Sequence, residues 1–354
     1  MMAIPLPDLA PVDKVVVGPE EVVICAAGFE DRATALSKCA VLHPQAPVVI
    51  LRYLPANREN RLSHLRRAWT DLGGRTDDAD VLDYHRFRPD DFSDRLKAQL
   101  SALKAPRVLI DISAMSRLLI MLVIESCRSL QLTVRIFYAE AAEYGPSMGE
   151  YEKYEEDIHR PSNLMFTALQ DVIRVSELSS VSMQGEPTAL ISFLSFNEVF
   201  TQAVINRVNP GKVFLINGRP PELRWRERAT AWLHEHVIGE WPETNRLVGG
   251  LPERVACTRD YQASVRMLLD LYWALSAEHR IVLSPTGSKM QTVACALVRA
   301  VHRDIHIEYP IAAGFVKEYS SGVGSCWVVD FRRLEDLIGD IRRAEQDEQL
   351  MIRM

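Results

Sequence analysis

Arg107-Val-Leu-Ile-Asp-Ile-Ser-Ala-Met-Ser-Arg117 is a run of aliphatic and β-branched residues that ends in a hydroxyl-bearing turn with one cation and then opens into an apolar, helix-spaced segment. This pattern predicts a buried strand feeding a helix. The first turn of such a helix offers backbone N–H groups without intrahelical partners, together with the positive end of the helix dipole, and both favour an anion. Arg280-Ile-Val-Leu-Ser-Pro-Thr-Gly-Ser-Lys289 repeats the arrangement. Together the two stretches predict an α/β chain of two tandem Rossmann-like units with mostly parallel sheets, a pseudo-two-fold duplication.

The flanking sequence fits that plan. Apolar runs at Val22–Ala27, Val48–Tyr53, Val81–Tyr84, Val108–Ile112 and Thr133–Tyr138 read as strands, and Arg32–Leu42, Glu59–Leu72, Phe92–Leu103 and Leu118–Leu130 read as the intervening helices. The order returns with strands at Ala189–Phe193, Val213–Ile216, Arg254–Cys257, Ile281–Leu283 and Ile305–Tyr309, and helices at Glu198–Val208, Glu222–His236, Ala263–Leu275 and Met290–Val301. Strands alternating with helices of this length imply βαβ crossovers and parallel pairing. The first unit is placed at residues 1–160 and the second at 161–354, the latter ending in a strand at Cys326–Val329 and an amphipathic helix marked by Leu334, Leu337, Ile338 and Ile341. Glu143–Asp157, acidic and aromatic with Gly and Pro, reads as a connecting excursion or hairpin without a helix.

In open parallel sheets a ligand crevice lies beyond the carboxyl ends of the strands, where strand order reverses, and the turns after the first and fourth strands flank it. In the first unit those turns are Gly28-Phe29-Glu30-Asp31-Arg32 and Ser113-Ala114-Met115-Ser116-Arg117. In the second they are Ser195-Phe196-Asn197-Glu198 and Thr286-Gly287-Ser288-Lys289. All eighteen are candidate ligand-binding residues. Hydroxyls can donate to phosphate oxygens, Gly287 permits close approach, Arg117 and Lys289 supply charge, and the rings of Phe29 and Phe196 could stack on a base. The structural alternatives are N-capping for Ser113, Ser116 and Thr286, core packing for the two phenylalanines, pairing with Asp111 for Arg117, and salt bridging or capping for Glu30 and Asp31.

The chain has 354 residues, 47% of them apolar, ample for two cores. A net charge of -6 excludes a broad nucleic-acid-binding surface, so long nucleic acid is not an expected partner. Six cysteines, scattered without a CxxC pair, read as reduced thiols acting as small hydrophobes. The pairs His234-Glu-His236 and His302-Arg-Asp-Ile-His306 lack further ligands at metal-binding spacing, so neither a metal nor a cofactor is expected. The first residues, Met-Met-Ala-Ile-Pro-Leu-Pro-Asp, lack the pattern of a signal peptide, and no run approaches a membrane span. The expectation is a cytoplasmic protein with no membrane partner.

Asp111-Ile-Ser-Ala-Met-Ser-Arg117 and Ser284-Pro-Thr-Gly-Ser-Lys-Met290 resemble the strand-four turn of CRISPR-associated Rossmann-fold (CARF) domains, an acid-hydrophobic-Thr-Gly-Gly-Thr-Lys pattern followed by a Met-containing helix. The first keeps the acid, both hydroxyls and the cation, with Ala114 and Met115 in place of the glycines. The second keeps Thr286, one glycine, Ser288, Lys289 and Met290, lacks the acid and is one residue shorter. The resemblance implies a sensor of cyclic oligonucleotides in prokaryotic antiviral defence. Two unequal copies in one chain are similar to the fused arrangement of SAVED domains, with an effector protein or a homo-oligomer as the responding partner. The alternative on the same scaffold is an enzyme. It would be a metal-independent ring nuclease in which Lys289 or Arg117 stabilises the transition state, or a nucleotide hydrolase with Glu30 or Asp31 as base. No RxxxxH pattern at a convincing site, PD-ExK-like strand, Walker A sequence, GxSxG elbow or HExxH is expected.

Overall fold

Five strands form the parallel part of the first sheet: β1 (Glu21–Ala26), β2 (Val48–Leu54), β3 (Val81–His85), β4 (Arg107–Asp111) and β5 (Thr133–Ala139). Their spatial order is β3-β2-β1-β4-β5, every neighbouring pair parallel. Every residue of β1 is buried, as expected for a central strand covered on both faces. The crossover helices are the short α1 (Ala35–Cys39), α2 (Leu62–Asp71), α3 (Phe92–Leu103) and α4 (Arg117–Ser129). The computed structural model describes residues 4–56, 60–104, 106–155, 166–241, 254–315 and 320–352.

The chain divides into two compact units, one of residues 1–144 with 320–354 and one of residues 145–319. This differs from the boundary expected at residue 160. The C-terminal strand Cys326–Arg333 pairs antiparallel with β5, the two-residue strand Ala10–Pro11 pairs with it in turn, and the helix Leu334–Ile352 follows. Period-two and helical patterns in the sequence report an element but not the sheet edge that accepts it, and the exposed edge of β5 supplies the unpaired backbone groups this strand satisfies.

A second correction concerns Arg32–Leu42, expected as one helix. The segment is a single turn of 3-10 helix (Asp31–Thr34), then α1, then a strand (Ala40–Leu42) whose residues pair in parallel with Val15–Val17. Val41 and Leu42 gain a backbone ladder with three consecutive valines there, and β-branched residues favour that outcome.

In the second unit β6 (Thr188–Phe193), β7 (Lys212–Arg219), β8 (Val255–Cys257), β9 (Arg280–Ser284) and β10 (His306–Ile307) form one wholly parallel sheet in the order β8-β7-β6-β9-β10. Both sheets therefore reverse direction between their first and fourth strands. The helices α5 (Glu198–Val208), α6 (Trp225–Leu233), α7 (Tyr261–Leu275) and α8 (Lys289–Val301) lie between these strands. The helix expected over Glu222–His236 is broken at His234, and a second short helix runs over Glu235–Glu240. Tyr309, expected to end β10, instead begins a separate strand, Tyr309–Phe315, paired antiparallel with Phe166–Ile173. Met148–Glu155 is helical despite the neighbouring Gly and Pro, because Gly145 and Pro146 precede the helix instead of interrupting it; Glu156 and Asp157 lie outside the described residues.

Candidate ligand-binding loops

The turn after β1 and the turn after β4 meet. A Cβ placed on Gly28 would lie 2.8 Å from the Cβ of Ala114, so the absent side chain is what lets the two turns close on each other. Tyr53, near the end of β2, ties the second turn down: its hydroxyl donates to the Ala114 carbonyl at 3.1 Å and accepts from the Ser116 amide at 2.7 Å. The reading of the sequence passed over Tyr53, although a tyrosine at the carboxyl end of a strand beside β1 is positioned for this role.

Most candidate polar groups of this unit are engaged within the protein. Ser113 is fully buried, its hydroxyl accepting the Ala139 amide at 2.9 Å while its own amide donates to Asp111 at 2.9 Å. Ser113→Ala should therefore cost roughly 1–3 kcal/mol by stranding the Ala139 amide, measurable by denaturant unfolding; an unchanged midpoint would refute that role. Ser116 caps α4, accepting from the Leu119 amide at 3.3 Å. Glu30 and Arg32 are buried together as an ion pair at 2.6 Å. Ser320 donates to the same Glu30 oxygen at 3.0 Å, and Arg32 donates to the Tyr144 hydroxyl at 3.3 Å. Asp31 accepts from the Gly322 amide at 2.8 Å and pairs with Arg61 at 2.6 Å; the amide first, then Arg61, holds its carboxyl below the usual range. Glu30, Asp31 and Arg32 thus hold the loop in place, and the salt-bridging alternative describes Glu30 and Asp31. Met115 is buried, whereas Phe29 and Arg117 are half-buried.

The second unit repeats this outcome with different chemistry. Thr286 is buried, donating to the Phe193 carbonyl and lying 3.2 Å from the Ser192 hydroxyl, so it bridges the ends of β6 and β9. Ser288 caps α8 in a reciprocal box, accepting from the Gln291 amide at 3.1 Å while Gln291 accepts from the Ser288 amide at 2.8 Å. Asn197 caps α5 by accepting from Val199 at 2.9 Å, and Ser195 donates to the Asn197 carbonyl at 3.3 Å. Phe196 is buried beneath the Arg226 guanidinium, 4.5 Å from the ring centre, and Arg226 donates to the carbonyls of Gly145 and Pro146. That contact occupies one face of the Phe196 ring. Glu198, Ser288 and Lys289 are half-buried.

The sequence is expected to hold no GxSxG elbow. Gly145-Pro-Ser-Met-Gly149 has GxSxG spacing, yet only the two-residue strand Glu143–Tyr144 precedes it, and Ser147 exchanges hydrogen bonds with Glu150 in an exposed capping box. A strand-to-helix nucleophile elbow is a different arrangement.

No family model and no curated protein matches this chain. Among solved structures, Can2 from Sulfobacillus thermosulfidooxidans, in complex with cyclic tetra-adenylate, is 15% identical with a TM-score of 0.23, over 39% of this chain and 37% of that one. An MccF-like protein from Streptococcus pneumoniae, in complex with AMP, is 13% identical with a TM-score of 0.19, over 88% and 96% of the two chains. Scores this low are not those of a shared fold, so the Rossmann-like architecture rests on the strand order and pairing described above. Among the described residues no group of His, Cys, Asp and Glu has the arrangement of a metal centre, and no helix is long and apolar enough to cross a membrane.

Proposed function

We propose that the chain is a receptor for a nucleotide-derived anion, a cyclic oligonucleotide second messenger of antiviral defence, and that its two units descend from one duplicated Rossmann-like ancestor. One observation carries the proposal. In both units the helix after the fourth strand starts at the point of strand reversal with a capping serine followed by a cation, Ser116-Arg117 in one and Ser288-Lys289 in the other, and neither first turn contains an acidic residue. A cation in the first turn opposes the helix dipole, whereas an anion at that position is favoured by the dipole and the cation together. The two serines cap their helices, and the charge that this reading offers the ligand is that of Arg117 and Lys289. The resemblance of both turns to the CARF pattern supports a cyclic oligonucleotide as that anion.

A panel of cyclic di-, tri-, tetra- and hexanucleotides should contain a member that raises the melting temperature through linkage to the folded state. Lys289→Ala and Arg117→Ala should each weaken that ligand by roughly tenfold, the scale of one charge-assisted hydrogen bond. No shift across the panel, or an affinity indifferent to both substitutions, would sink the receptor reading.

A further inference from the structure

Three consecutive residues, Tyr144, Gly145 and Pro146, are gripped at one end by the turn after β1 and at the other by a side chain that covers the turn after β6. In the first unit Arg32 donates to the Tyr144 hydroxyl at 3.3 Å, Ser320 donates to Glu30 at 3.0 Å, and the Gly322 amide donates to Asp31 at 2.8 Å. Tyr144 and Ser320 face each other in an antiparallel ladder of two residues a strand, Glu143–Tyr144 with Ser320–Ser321. A ladder this short holds little by itself, so its bonds to the turn fix where it lies. The Ala141 amide, donating to the Tyr144 hydroxyl at 3.1 Å, keeps that oxygen where Arg32 reaches it. The chain leaves the first unit at Tyr144 and enters the second at Gly145. There Arg226 donates to the Gly145 carbonyl at 2.9 Å and to the Pro146 carbonyl at 3.0 Å, with its guanidinium over the ring of Phe196.

We propose that Tyr144-Gly145-Pro146 is a relay that couples the turn after β1 to the turn after β6, with Arg32 and Arg226 as the positioning residues at its two ends. Each hydrogen bond and ring contact of the path lies within one unit, and the peptide bond between Tyr144 and Gly145 joins the two halves. Both guanidinium groups are buried, so neither can trade its protein partners for water without cost. A shift of the Glu30–Arg32 pair, whose charged atoms are 2.6 Å apart, carries the Tyr144 hydroxyl with it. Turning Tyr144 redirects the two carbonyls that follow it, and the seat of Arg226 over Phe196 moves in step. Coupling through such a chain of packed groups acts equally in both directions. Its use, to carry occupancy of one turn to the other, rests on the ligand reading above. The coupling itself is present without a ligand.

Hydrogen exchange of the full-length, unliganded chain, followed peptide by peptide in a mass spectrometer, tests the coupling in both directions. Tyr144→Phe keeps the ring and removes the hydroxyl. It should speed exchange of the peptide carrying the Val199 amide, which Asn197 holds in the second turn, by about fivefold, the low end of ordinary coupling between sites. Arg226→Lys keeps the charge and gives up the paired donors. It should speed exchange of the peptide carrying the Ala33 amide, which the Glu30 carbonyl holds in the first turn, by a similar factor. Peptides from β4 and β9 should exchange as in the wild type, which separates a relay from general loosening. If Arg226→Lys does not fold, the Tyr144→Phe arm decides alone. Changes confined to the unit that carries the substitution, or spread evenly through β4 and β9, would overturn the proposal. Either result would leave the receptor reading to the nucleotide panel, which decides it separately.

Discussion

Arg32→Met should cost roughly 3–5 kcal/mol of folding stability, because it leaves a buried carboxylate without its cation. The Arg32 side chain is 2% exposed and that of Glu30 is 7% exposed, with 2.6 Å between their charged atoms. Burial alone works against the Arg32 charge, and Glu30, with the Tyr144 and Tyr138 hydroxyls, more than restores it. The Ser320 hydroxyl at 3.0 Å contributes one neutral hydrogen bond to Glu30, which falls well short of a full charge in a site closed to water. The penalty should shrink at low pH, where Glu30 can shed its charge by taking up a proton. The double change Arg32→Met with Glu30→Met should recover most of the loss, since replacing both partners removes the desolvation cost with the attraction. Denaturant unfolding of the three proteins decides the matter. A single variant within about 1 kcal/mol of wild type, or a double variant as unstable as the single, would show that the pair does not hold the loop.

That ion pair marks where the sequence stops being legible. The strands β1, β2, β4, β5, β6, β7 and β9 were readable because strands buried on both faces must be continuously apolar, and their order followed from helices long enough to cross back over a parallel sheet. The positions of the loops were readable for the same reason. What each loop side chain touches was not: Glu30 and Arg32 are two residues apart and look like a surface pair until Tyr144 and Ser320, both remote in sequence, close over them. Tyr53 behind Ser116 and Gln291 behind Ser288 were hidden in the same way, and so was the Arg226 guanidinium over Phe196. Hydroxyls in a strand-to-helix turn have two uses, capping and phosphate binding, and the backbone amide three residues on claims them first. The Ser113 and Thr286 hydroxyls are likewise taken up inside the protein, by the Ala139 amide and the Phe193 carbonyl.

Gly287→Val should be among the most damaging single changes in the second unit, at roughly 2–4 kcal/mol, for a reason opposite to the one its sequence context suggests. A glycine in a turn of this kind invites the reading that it clears space for a phosphate. A Cβ at this position would instead lie 2.7 Å from the Cβ of Phe193 and closer still to Oε1 of Gln291. Gln291 could swing its amide away, but only by giving up the bond it accepts from the Ser288 amide, which is half of the reciprocal box at the start of α8. Phe193 cannot move, since it is fully buried at the end of β6 and its carbonyl is held by Thr286. The turn would have to lift off the sheet, carrying Lys289 away from the point of strand reversal. Gly287→Ala should show the same effect at smaller size, because the first added carbon makes the clash and the branched methyls only enlarge it. Thermal unfolding should place both variants below wild type in that order, and Gln291→Ala should relieve the alanine variant in part by removing the nearer contact. A valine variant as stable as wild type would mean that the turn has room to spare, and the close packing of the two turns could then no longer explain why glycine stands there.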